Sequence, residues 1–260
     1  MRASRARTEW IGFKTIVIRE FNRIVRIWGQ TIVPPAVTAT LYFIIFGSLI
    51  GRRVGQVGGY DYMSFVAPGL IMMTIITNSY GNVVSSFFGA KFGKHLEELL
   101  VSPLPNWLIV SGYVAGGILR GVLVGSVVTV VSLFFTRLVP QHIFAAISSV
   151  LLTSMVFSLG GFINALFAKN FDQISWFPTF VLQPLTYLGG VFYSVNMLPD
   201  WARAASTANP ILYMVSSFRY GFLGTSDVDL RLAYGIMISA AAAMFALAVT
   251  LLNRGAGIRD

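Results

Sequence analysis

Apolar residues fall into six long runs, separated by polar, glycine or proline positions. Read as helices, they predict spans at about 34–50, 62–88, 107–136, 143–168, 174–194 and 231–252. A helix rising 1.5 Å per residue needs roughly 20 apolar residues to cross a bilayer core. Ahead of them, Trp10, Phe13, Val17, Phe21, Ile24 and Trp28 recur at steps of 3, 4, 4, 3 and 4, a single helical stripe. Arg19, Arg23 and Arg26 are expected on the opposite face. The pattern predicts an amphipathic helix over 1–30 that lies along the membrane surface, rings among headgroups and arginines toward phosphate. Pro34 and Pro35 are expected to open the first span, where a missing N–H costs nothing. Pro68 should bend the second, and Pro178, Pro184, Gly189 and Gly190 interrupt the fifth.

Two connections carry pattern of their own. Residues 91–102, KFGKHLEELLVS, place Phe92, Leu96, Leu99 and Leu100 on one face and end at Pro103. A short amphipathic helix stopped by proline follows. Its acidic pair suits either a surface loop or a protein partner. The segment 195–230 is too apolar for an open loop. It predicts two short helices, about 199–207 and 211–223, dipping into the outer leaflet with Arg203 and Arg219 at the interface.

Composition agrees with a polytopic all-α membrane protein. Of 260 residues 55% are hydrophobic and 11% charged, and mean hydropathy is +0.72. A soluble domain could not cover its surface with so few charges. The N-terminus is not read as a secretory signal, because no apolar core leads to a small-residue cleavage site. The net charge of +9 reflects arginines and lysines flanking spans. Nucleic acid is not an expected partner, because no basic patch is interleaved with a stacking platform. Six spans put both termini on one side. With that side cytoplasmic, twelve lysines and arginines lie inside and six outside. The positive-inside rule therefore favours cytoplasmic termini.

Chemistry-bearing patterns are few. The sequence has no cysteine, and His95 and His142 are far apart, so no metal site is expected. There is no HExxH, GxSxG or Walker A pattern; the run 89–94 lacks the GxxxxGK[ST] spacing. No acid lies mid-span, which disfavours a proton-coupled carrier. The second span carries polar Thr74, Thr77, Asn78, Ser79, Tyr80 and Asn82. They either line a cavity or make interhelical hydrogen bonds. Arg120 is the intramembrane charge. It either snorkels or pairs, or it acts on substrate or gating.

The stretch 182–219 resembles the signature of type-2 ABC exporter permeases. Leu182, Leu185, Leu188, Gly189 and Val191 form an aliphatic–small pattern. Leu198-Pro199 follows, then Pro210-Ile211, Tyr213 and Arg219 at the family spacing. The resemblance extends over essentially the whole chain and is nearest to a subgroup of bacterial inner-membrane permeases. It implies an amphipathic interface helix (1–30) and a type-2 ABC transmembrane domain (31–260). It implies a homodimer in which each copy recruits a separate cytoplasmic ATPase subunit. No cofactor is expected in this chain; ATP and Mg2+ belong on that subunit. By the same resemblance Arg19, Glu20, Arg23, Arg26, Lys94, His95, Glu97 and Glu98 are candidates for the ATPase interface. The export path would lie between protomers along spans one, two and five. Tyr42, Asn78, Tyr80, Phe87, Tyr187 and Tyr193 are candidates to line it, by location and polarity.

The function expected is therefore the membrane subunit of an ATP-driven exporter of amphipathic or lipid-linked cargo. A channel or secondary carrier, and an intramembrane enzyme, are the alternatives. The topology is testable with single cysteines at Ser4, Ser226 and Gly257 and an impermeant label on intact cells. Labelling of Ser226→Cys alone is the expected outcome. Labelling at Ser4→Cys or Gly257→Cys with none at Ser226→Cys reverses the assignment.

Overall fold

A computed structural model describes residues 2–257. Helix α1 (Arg2–Arg26) leads through Ile27 into α2 (Trp28–Ile44), a π-helical stretch (Ile45–Ile50) and α3 (Gly51–Val54). Strands β1 (Gln56–Val57) and β2 (Tyr60–Asp61) pair antiparallel. Gly58 and Gly59 turn between them at φ 60° and 84°, where a side chain would be strained. Then come α4 (Tyr62–Phe92), α5 (His95–Val101), α6 (Asn106–Ser132) and α7 (Ile143–Phe167). Helices α8 (Phe171–Phe177) and α9 (Gln183–Tyr187) are joined by a π-helical turn (Pro178–Leu182). A 3-10 turn (Val195–Met197), α10 (Asp200–Thr207), α11 (Pro210–Leu223) and α12 (Leu230–Arg254) complete the order.

Five helical segments are long and apolar enough to cross a membrane: Trp28–Gly47, α4, α6, α7 and α12. The first begins at Trp28, so Pro34 and Pro35 lie inside it and do not open it. Membrane helices tolerate this because neighbours re-satisfy the freed backbone groups. The fifth sequence-predicted span is not one long helix. Helical backbone runs over 171–187 and ends before Gly190, which turns the chain at φ 71°. Pro184 cannot donate to the carbonyl four residues earlier, and the helix widens into its π turn there.

Helix α4 is the centre. Of its most apolar window 72% is buried, against 17% in the first span and 22% in α12. Asp61 caps it, accepting from the Met63 N–H. Small residues let α6 and α7 close on it. A Cβ on Gly121 would sit 2.1 Å from Ser79 Oγ, and one on Gly161 would sit 2.5 Å from the Tyr80 carbonyl oxygen. Without a hydrophobic drive between helices in lipid, such close approach supplies the cohesion. Large apolar side chains turn outward, among them Phe134, Phe144, Phe180 and Ile238.

The outer segment differs from its expectation. Helices α10 and α11 fall where the sequence placed them, but α11 is packed inside the bundle. It is buried on nearly every side against α4, α7 and α12. Arg219 is 1% exposed rather than interfacial. It pairs with Asp227 at 3.2 Å, donates to the Gly190 carbonyl at 2.7 Å and lies 3.9 Å over the Phe65 ring. Arg203 remains exposed and donates to the Asn196 carbonyl at 3.2 Å.

Gly161→Ala forces a methyl onto the α4 backbone and should cost about 1–3 kcal/mol, as overpacking does. Gly81→Ala, with nothing within 4 Å of its Cβ position, should be neutral. Thermal unfolding in detergent compares the two.

Candidate functional site

Two sites emerge, one at the cytoplasmic end by the sequence-derived topology and one within the bundle. The first begins with α1. Its Ile16, Glu20 and Ile24 face is buried, while Trp10, Phe21 and Trp28 point outward. The helix follows α6: Ile16 meets Gly112 and Glu20 meets Gly116, positions where any Cβ would collide. Glu20 is 0% exposed. Its carboxylate accepts from the Ser86 hydroxyl and pairs with Arg23 at 3.1 Å and Arg19 at 3.5 Å. Arg23 continues inward, donating to Asn82 Oδ1 at 2.7 Å and to the Asn82 carbonyl at 3.1 Å. Arg19 lies 5.1 Å over the Tyr113 ring.

Glu20 is thus a buried residue of the groove wall, held between Arg19, Arg23 and Ser86. Arg23, expected opposite the apolar stripe, is turned into the bundle; Arg26 is exposed. In α5 the buried Leu96 and the half-buried Leu99 and Leu100 pack on the core of α4, α6 and α7. Lys94, His95, Glu97 and Glu98 are exposed. Lys91 fixes this corner by donating to the carbonyls of Leu166 at 2.6 Å and Ala168 at 2.9 Å, at the end of α7. Between α1, the end of α4 and α5 lies a groove of about 650 Å³. Arg19, Glu20 and Arg23 line one wall and His95 and Glu98 another. Residues about 75 positions apart are thus brought to one groove.

The second site is a cleft of about 400 Å³ between α2, α4 and the α8–α9 segment. Tyr42, Asn78, Tyr187 and Arg120 line it, as do Gln30, Thr38 and Gln183, which the sequence did not single out. Tyr80, Phe87 and Tyr193 do not. Tyr80 is 2% exposed, stacks on Phe177 and accepts from Asn164 Nδ2 at 2.7 Å. Phe87 is wholly buried against Phe162 and Tyr113. Tyr193 sits by α10, its hydroxyl 3.5 Å from Ser206 Oγ. An aromatic residue on a crossing helix faces the core as readily as a path, and α4 buries most of its circumference.

The polar stripe of α4 divides between its two readings. Thr74, Thr77 and Asn78 line the cleft, each bonded to a carbonyl four residues back. Tyr80 and Asn82 make interhelical bonds instead. Arg120 has no carboxylate partner among the described residues. Its Nε is buried without a hydrogen-bond partner. The buried role of Glu20 had a sequence signal: it shares the four-residue spacing of Ile16 and Ile24.

Five helices long and apolar enough to cross a membrane, around the central α4, define a polytopic membrane protein. The profile of the ABC-2 type transporter family matches residues 11–223. The chain belongs to this family. It is 53% identical to the inner membrane transport permease YadH of Escherichia coli, over 96% of this chain and 98% of that one. It is 26% identical to nodulation protein J of Rhizobium leguminosarum bv. trifolii over 82% of each chain, and 25% identical to that of Rhizobium meliloti.

Glu20→Ala leaves two arginines facing each other without their carboxylate. Breaking a buried pair from one side typically costs about 3–5 kcal/mol. The expected result is release of α1 from the bundle, read as faster proteolysis within 1–30 and a lower unfolding temperature. Arg26→Ala, at an exposed position, should change neither.

Proposed function

We propose that this chain is the membrane-spanning subunit of an ATP-driven exporter in a bacterial inner membrane. Two copies pair, and each binds a separate cytoplasmic ATPase subunit that holds ATP and Mg2+. The chain itself carries transport, not hydrolysis. The 171–187 segment is the remaining, shorter crossing, at roughly 26 Å by helical rise. Both termini then face the cytoplasm.

The observation that carries this reading is the groove between α1 and α5. Arg19, His95 and Glu98 are exposed in its walls, and Arg26, Lys94 and Glu97 are exposed on or next to the same two helices. A helix of the ATPase seated there would touch both elements at once. Leu96 is buried in the packing of α4, α6 and α7, so a push on α5 reaches the bundle directly. Glu20 and Arg23 act from the other wall, tying α1 to α4. The identity to a transport permease and the family match support the same assignment. The cleft between α2, α4 and α8–α9 would then form half of a path completed by the second copy. Amphipathic cargo suits a cleft with polar residues and an apolar wall.

Glu97→Ala combined with Glu98→Ala should weaken ATPase binding while leaving the fold intact, because both side chains are exposed. Losing a desolvated interfacial charge pair typically costs about 2–5 kcal/mol. Co-purification of the ATPase and its stimulated hydrolysis are the measurements. Normal values for both would remove α5 from the coupling route.

A further inference from the structure

The cleft has a direction. Contacts across Gly121 to Ser79, Gly117 to Val83 and Gly125 to Ile75 set α6 antiparallel to α4. Arg120 is thereby level with Asn78. Gln30, Thr77, Asn78 and Arg120 gather at the cytoplasmic end of the cleft, and Leu70, Ala39 and Tyr42 lie about two turns further out. One end carries the cation and amide side chains; further out, Ala39, Leu70, Met73 and Leu182 form an apolar wall beside the tyrosines Tyr42 and Tyr187.

The charge at the polar end is uncompensated. Arg23 is close enough for its own charge to act on Arg120. The carboxylate of Glu20 is taken up by Arg19, Arg23 and Ser86, and among the described residues Arg120 has no ion-pair partner. Isolated cations at membrane depth are costly unless something negative meets them. The cleft wall offers Arg120 only neutral groups.

Building on the permease reading of this cleft, we infer that it binds an anionic amphiphile. The phosphate or carboxylate headgroup is held by Arg120, and the apolar tail lies along Met73, Leu70 and Leu182. A guanidinium fork matches two oxygens of such a group, and Asn78 and Gln30 are placed to complete its hydrogen bonds. The tail then points from the cytoplasmic end toward the bilayer centre, as in a lipid of the inner leaflet. Two sources share this chemistry: a resident bilayer phospholipid and the exported cargo.

Native mass spectrometry of the purified protein from neutral detergent tests this with a matched pair, dioleoyl phosphatidic acid and dioleoylglycerol. They share tails and differ by the phosphate. Wild type should favour the phosphatidic acid by about tenfold or more, the worth of one charge-assisted hydrogen bond. Arg120→Gln should bring the ratio near unity, and Arg120→Lys should keep only part of it. No preference in wild type overturns the inference, with no variant needed. So does a preference unchanged in Arg120→Gln. Displacement of phosphatidic acid by equal inorganic phosphate would also overturn it, because the tail would then contribute nothing. Anionic phospholipid that co-purifies with wild type but not with Arg120→Gln identifies a resident lipid; binding of the added probe without co-purified lipid identifies cargo. Either upholds the anionic site. None of these readouts needs the ATPase, so their failure leaves the ATP-driven reading standing. Conversely, failed ATPase association leaves the binding result untouched.

Discussion

Close approach across glycine is the contact on which the rest of this bundle depends. Helix α4 is surrounded because α6 offers Gly117, Gly121 and Gly125 and α7 offers Gly161 at the points of contact. In lipid, apolar side chains gain little by leaving one hydrocarbon for another, so packing and hydrogen bonds hold helices together. Backbones brought this near leave no room for water. Some polar groups on the inner faces find a partner within the protein, while small hydroxyls such as Ser79 and Ser158 are buried there without one. Tyr80 finds Asn164, and Arg23 finds Asn82.

The same constraint gives the charged residues their meaning. Glu20 and Arg219 are both buried, and both are paired. The Glu20 cluster fastens the amphipathic helix to α4 and α6. Arg219 fastens the outer loop, through Asp227, to the carbonyl of Gly190 and the ring of Phe65. One end of the molecule is thus stapled by two ion pairs on Glu20 and the other by the pair of Arg219 with Asp227. Arg120 lines the cleft and has no carboxylate partner among the described residues. A paired charge organises the fold; an unpaired one at the same depth is available for a ligand.

The arrangement also relates the two sites to each other. Arg23 belongs to the wall of the groove beside α5 and Arg120 to the wall of the cleft, and both walls include α4. Movement of α1 against α4 would alter both.

By itself the sequence determined the class, the family and most helix positions. The signals were long apolar runs, the amphipathic spacing from Trp10 to Trp28, and the proline and glycine pattern of 182–219. It also placed α5, α10 and α11 within a few residues, because proline and polar caps mark helix ends locally. It did not determine which way a residue on a buried helix faces. Tyr80, Phe87 and Tyr193 were indistinguishable from Tyr42 and Tyr187 by type and location, yet only the last two line the cleft. Nor could it tell an interfacial Arg219 from a buried one, since Asp227 and the Gly190 carbonyl that receive it are placed by the turn of the chain after α9. Hydropathy is a property of each residue and its near neighbours. Pairing of buried charge depends on which helices meet and at what rotation, and only the tertiary structure decided that.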